Sequence, residues 1–245
     1  MSTDQQVNYG LNHYRMGLYG QAIPALMSAA SSLEKTDPPD PRLPQVLSAL
    51  GNMAESDKRY DLARGYYGKG LKAAESLAPP NETLLRNALV DAGHFHLGQK
   101  SYTEALPLLE RAAAISGKNP RFRPVLQAID VDNLGLAYAG LGRHAEANAL
   151  SQRALGVLEK ASDTEALKTR GVIFYNLGYS YMEQGRNREA ETYYRRALDT
   201  LAPPAGPSVG EPWRIKVVVT NYAALLRKLG RNAEAEKLEA RIPAK

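Results

Sequence analysis

Asn176-Leu-Gly-Tyr-Ser-Tyr-Met-Glu-Gln-Gly-Arg-Asn-Arg-Glu-Ala-Glu-Thr-Tyr-Tyr-Arg-Arg-Ala197 reads as the facing parts of two helices joined by a tight turn at Gly185. Leu177, Gly178 and Tyr181 share one face of the first helix at i, i+1, i+4 spacing. Ala190, Tyr194 and Ala197 share one face of the second at i, i+4, i+7. Small residues at Gly178 and Ala190 let the two backbones approach closely, and the large ones fill the space beside them.

The pattern recurs along the chain. Aligned on the small residue that opens each second helix, Gly10, Gly51, Gly93, Gly135, Gly178 and Ala223 occupy one slot, at spacings of 41, 42, 42, 43 and 45 residues. A second slot holds Ala22, Ala63, Ala105, Ala147, Ala190 and Ala235. A third holds Ala29, Gly70, Ala112, Ala154 and Ala197, with Ile242 the one large member. Six hairpins, none able to bury its apolar face alone, predict an all-α stacked solenoid. The copies fall at approximately 5–35, 43–77, 82–115, 123–160, 164–201 and 213–242, and one domain spanning 1–245 is expected. Pro24 and Pro107 are both expected in the first turn of a second helix, where a missing N–H costs little, and their equivalent places support the register.

The motif Leu-Gly-x-x-Tyr, followed by Gly-x-x-x-x-Ala and x-x-x-Tyr-x-x-Ala, resembles the tetratricopeptide repeat. It is complete in the fifth copy and nearly so in the fourth, with Leu134, Gly135, Tyr138, Gly142, Ala147 and Ala154. The period departs from the usual length of about 34 residues by roughly one extra turn per helix. Long repeats of this kind look like those of kinesin light chains and of bacterial peptide-sensing repeat proteins. The resemblance implies a right-handed α-solenoid whose first helices line a concave face.

Composition narrows the function classes. The chain of 245 residues has no cysteine, which removes disulfides and thiolate metal sites. The start, Met-Ser-Thr-Asp-Gln-Gln, is not a signal peptide, and no apolar run is long enough to span a membrane, so a cytoplasmic protein is expected. A net charge of +5, spread over many helices, fits a solvated surface as well as an acidic partner, and marks no base-reading positions for nucleic acid. There is no phosphate loop, zinc-binding helix motif or nucleophile elbow, so no enzyme activity and no cofactor are expected. His94-Phe-His96 does not make a metal site, because residues i and i+2 diverge by about 200° on a helix. His96 takes the packing slot of Tyr138 and Tyr181, whereas His94 is expected to face the groove.

The informative row lies two residues before the first small slot: Asn8, Ala49, Asp91, Asn133, Asn176 and Asn221. Asparagine is a poor helix-interior residue, so its recurrence needs a reason. Either the side chains bond a neighbouring helix, or they bind a ligand. A carboxamide matches the donor and acceptor of a peptide unit, so a ladder of them suits an extended backbone. In the two long-repeat families groove asparagines do this, and the resemblance implies the same here, with Asn52 standing in for Ala49. Val7, Leu11, Tyr14, His94, Tyr175, Tyr179 and Met182 would add apolar surface, with charge from Arg15 and Arg227. Arg42, Arg86, Arg170, Arg214 and Lys216 lie near first-helix starts, as a rim for an acidic segment or a C-terminal carboxylate or as solvated helix ends.

The leading expectation is therefore a non-catalytic scaffold or adaptor that clasps an extended segment of another protein. The alternatives are self-assembly through the terminal hairpins, since no polar helix covers the last one, and a peptide-sensing regulator. Against the last, the first repeat opens near residue 5 and leaves no room for an N-terminal effector domain.

Overall fold

The computed structural model describes residues 1–204, 206–240 and 242. Among these there are twelve α-helices and no strand, so the class is the all-α helical repeat expected from the slots. The chain divides into two compact units, Met1–Lys118 and Asn119–Lys245. The first contains α1 (Thr3–Arg15), α2 (Tyr19–Leu33), α3 (Leu43–Ser56), α4 (Tyr60–Glu75), α5 (Glu82–Gly98) and α6 (Tyr102–Lys118). The second contains α7 (Pro124–Gly140), α8 (His144–Val157), α9 (Thr164–Glu183), α10 (Asn187–Leu201), α11 (Pro212–Lys228) and α12 (Asn232–Glu239). In each unit consecutive helices pair as hairpins, and each hairpin packs on the next.

Every hairpin turns in the same way. The residue after each first helix's C-cap takes a left-handed conformation: Gly17, Lys58, Lys100, Gly142, Gly185 and Gly230. The following N–H then reaches back to the fourth-last residue of the helix plus cap, as in Arg143 N to Tyr138 O and Arg186 N to Tyr181 O, both 2.9 Å. These are Schellman closures, which satisfy carbonyls the helix would otherwise orphan. In the second unit the residue that opens each second helix is an arginine paired to a glutamate three residues on. Arg143–Glu146, Arg186–Glu189 and Arg231–Glu234 repeat this clasp. The glutamates sit where the helix dipole favours an anion.

The small slots mark the helix crossings. All six alanines of the second slot are buried. A Cβ on Gly178 would lie 2.7 Å from the Tyr194 ring, four residues beyond Ala190. In copy four that neighbour is Ser151, and the backbone closes in instead, with the Ala147 carbonyl 3.2 Å from where a Gly135 Cβ would stand. The slot is small in every copy for one reason, the closeness of the second helix, met by different atoms. The apolar clusters follow the same logic. Val7, Leu26, Leu33, Val46, Leu47 and Met53 fill the start of the first unit. Tyr194, Leu201, Val218, Val219, Tyr222 and Leu226 fill the end of the second.

Candidate functional site

The first helices of the second unit carry the row of carboxamides, and the structure shows what most of them do. Asn176 Nδ2 on α9 donates to Asp132 Oδ2 on α7 at 2.7 Å. Asn221 Nδ2 on α11 donates to the Tyr175 hydroxyl on α9 at 2.8 Å. In the first unit the Ser48 hydroxyl on α3 donates to Asp91 Oδ2 on α5. All three bonds join equivalent positions: the residue three before the small slot of one copy meets the residue two before the slot of the next. The row therefore stitches consecutive first helices together, and Asp132, Tyr175 and Ser48 are its partners. Sequence reasoning on the row itself missed them. The position before the slot mixes Val7 and Val90 with Ser48, Asp132 and Tyr175, so it gives no regular signal in the sequence.

The members without such a bond differ among themselves. Asn8 is exposed on α1. Asn133 is buried on α7, and its Nδ2 has no hydrogen-bond partner. Asn52 is half-buried and accepts from the Tyr67 hydroxyl at 2.9 Å, a hydroxyl that also lies 2.9 Å from Glu55 Oε2.

The exposed surface beside the row is apolar. Tyr179 on α9 is 45% exposed and Leu136 on α7 is 37% exposed, and both stand one residue after their small slots. Tyr175 and Met182 share the Tyr179 face at i−4 and i+3 and are half-buried. Tyr175 packs near Tyr194, with ring centroids 6.0 Å apart. In the first unit the matching positions are Leu11, Asn52 and the exposed His94. Val7 and Leu11, expected as groove surface, are buried in the core of the first two hairpins, and Tyr14 is half-buried.

The arginines are mostly engaged. Arg170 donates to the backbone carbonyls of Leu158 and Ala161 at 2.6 and 3.0 Å, which anchors the α8–α9 link. Arg227 forms a two-pronged pair with Glu239 at 2.7 Å in each prong. Arg15 donates to Asn12 at 3.3 Å. Arg86 is buried and donates to Asn87 at 3.0 Å, so it is no exposed rim residue. It lines a pocket of about 320 Å³ with Pro44, Gln45, Ser48 and Asp91. A second pocket, of about 440 Å³, is lined by Leu198, Ala202, Pro203, Pro204, Ile215 and Val219.

Two carboxylates in the stitching row have shifted acidity. Burial pushes Asp132 up to about 6 against the bonds from Ser151 Oγ (2.8 Å) and Asn176. Burial also raises Asp91, while the Ser48 hydroxyl and the charges of His94 and Arg86 oppose the rise. His96 is half-buried and its pKa is lowered chiefly by burial. Among the described residues no three His, Cys, Asp or Glu side chains converge as a metal ion would require. No described helix is long and apolar enough to cross a membrane.

Taken together, the site is a face of consecutive first helices, bonded side by side, with apolar side chains standing out of it. Residues 125–202 match the tetratricopeptide repeat family. A search of the curated proteins finds no match. Solved structures share the fold at low identity. BtubC from P. vanneervenii is 17% identical, with a TM-score of 0.67 over 99% of this chain and 90% of that one. Kinesin light chain-like repeats from Podospora anserina are 18% identical, with a TM-score of 0.64 over 82% and 93%. The Rap conjugation gene regulator of plasmid pLS20, solved with a bound peptide, is 16% identical, with a TM-score of 0.67 over 96% and 72%. The family match covers residues 125–202, and the described residues as a whole share the helical-repeat fold of these structures.

Proposed function

We propose that the chain is a non-catalytic interaction scaffold and that the first-helix face of its second unit holds an extended segment of a partner protein. The observation that carries this reading is the pair of large apolar side chains, Leu136 and Tyr179, left exposed at the same repeat position beside the carboxamides. Exposed apolar side chains repeated at a fixed spacing suit a chain running across the helices. The bound peptide in the Rap regulator, which has the same fold, supports the reading.

In this account the carboxamides play a double part. Asn176 and Asn221 use their amide groups to join helices, and their carbonyl oxygens are the atoms left to accept from a ligand's N–H groups. Each such bond contributes about 0.5–1.5 kcal/mol net, so affinity is moderate and reversible, and Tyr179 and Leu136 supply selectivity for apolar side chains. An acidic ligand is not favoured by the second-unit arginines named above, since Arg170 and Arg227 are already bonded within the chain.

A peptide array probed with the wild type and with a Leu136→Ser/Tyr179→Ser double variant tests this. The double variant is expected to lose most binding while keeping its helix content and melting temperature. An unchanged binding pattern would overturn the assignment of this face. A parallel Asn133→Ala/Asn176→Ala variant that binds as the wild type does would remove the carboxamides from the account and leave the apolar pair.

A further inference from the structure

The first unit holds a pocket whose chemistry differs from that of the second-unit face. It has a volume of about 320 Å³ and lies between α3, which contributes Ser48, and α5, which contributes Arg86 and Asp91. Arg86 departs from the repeat. Seven residues before the small slots Gly51, Gly93, Gly135 and Gly178 stand Pro44, Arg86, Ala128 and Gly171, all four of them buried. A Cβ on Gly171 would lie 2.5 Å from the Leu201 side chain, so packing at that slot asks for a small residue. A guanidinium buried there carries a desolvation cost that the repeat does not call for. Its Nη1 donates to Asn87 Oδ1 at 3.0 Å and its charge acts on Asp91, which sets it among the residues lining the pocket.

Asp91 supplies the opposite charge. It is half-buried, and its Oδ2 accepts from the Ser48 hydroxyl, which leaves Oδ1 as the pocket's anionic acceptor. A cation and an anion thus share one small space. A ligand with a single charge is drawn to one and repelled by the other, whereas a zwitterion is drawn to both. A neutral amide would use neither charge fully. Pro44, Leu84 and Ala88 add apolar surface to the lining. The volume is at the low end of the range for small-molecule sites, about 300–1,000 Å³, which suits a single small molecule.

We propose that this pocket binds a free α-amino acid with an apolar side chain. Its carboxylate pairs with Arg86, its ammonium group with Asp91 Oδ1, and its side chain lies against Pro44, Leu84 and Ala88. A Kd between about 10 µM and about 1 mM is expected for a ligand of this size.

Calorimetry of the full chain with L-leucine, L-valine and L-methionine tests this. Three relatives of leucine accompany it: isocaproate lacks the ammonium group, isoamylamine lacks the carboxylate, and N-acetyl-L-leucinamide lacks both charges. Each relative is expected to bind at least about tenfold more weakly than leucine. Asp91→Asn keeps an acceptor for Ser48, and is expected to lose about tenfold or more of the leucine affinity with helix content unchanged. Arg86→Gln is expected to lose as much, and should its burial prevent folding, Asp91→Asn decides. The proposal is overturned if none of the three amino acids binds up to about 10 mM. It is equally overturned if a relative binds as leucine does, or if Asp91→Asn leaves leucine binding unchanged. No peptide is present and no second-unit residue is altered, so the outcome is separate from that of the peptide-holding face.

Discussion

Asn176 shows how one side chain is shared between fold and function. Its amide group completes the coordination of Asp132, whose other carboxylate oxygen accepts from Ser151. Removing it in Asn176→Ala leaves a buried carboxylate short of a donor, at a cost of about 1–3 kcal/mol. A thermal melt should show that loss, whereas Tyr179→Ser, on an exposed residue, should leave the melt within about 0.5 kcal/mol of wild type. The small slot is as demanding. Gly178→Ala gains helix propensity of about 1 kcal/mol but drives a methyl group against the buried Tyr194 ring, so a net destabilisation of about 1–2 kcal/mol is expected in chemical denaturation. The need for a small residue there was legible in the sequence, because the slot repeats. The burial of Asn133 and the identity of Asp132 as partner were not. A row of asparagines is the same row in sequence whether it faces a ligand or a neighbouring helix, and only the placement of the next helix separates the two.

At the scale of the element, the hairpin turn is the most regular feature, and two of its six copies break the local rule. Lys58 and Lys100 hold φ values of 59° and 57°, where the other four copies use glycine. A side chain in that region costs about 1–2 kcal/mol, and glycine's greater freedom when unfolded offsets about half of it. Lys58→Gly and Lys100→Gly are each expected to stabilise the first unit by about 0.5–1 kcal/mol, read from the denaturation midpoint. The α7–α9 joint carries a pH dependence. The Asp132 carboxyl titrates near 6 when folded, against about 4 when unfolded, so protonation favours the folded state. Its contribution is fully present below about pH 4 and is lost as pH rises through 6, a swing of roughly 3 kcal/mol. The difference in stability between wild type and Asp132→Asn should therefore change by about that amount between pH 4 and 7, and a difference that stays constant would contradict the assignment. Turns of this kind are readable in advance where glycine marks them. The lysine copies are not, since lysine carries no turn signal of its own.

At the scale of the whole molecule, six copies of one hairpin arranged in two compact units account for nearly every buried residue. Periodicity made the fold readable because each copy solves the same packing problem, and six solutions in register leave little ambiguity. The binding face was less readable, since its chemistry lies in the few residues that packing does not use. The arginines illustrate the difficulty. Arg86 and Arg170 look like a rim when placed on a helix wheel, but one is buried and the other is bonded to the backbone of a link the wheel does not contain. The most direct measurement of the central claim is amide chemical-shift mapping of the full chain during titration with an array-selected peptide. Shifts are expected to concentrate at residues 132–136 on α7 and 175–182 on α9. Shifts confined to the second helices α8 and α10, with those two stretches unmoved, would contradict that claim.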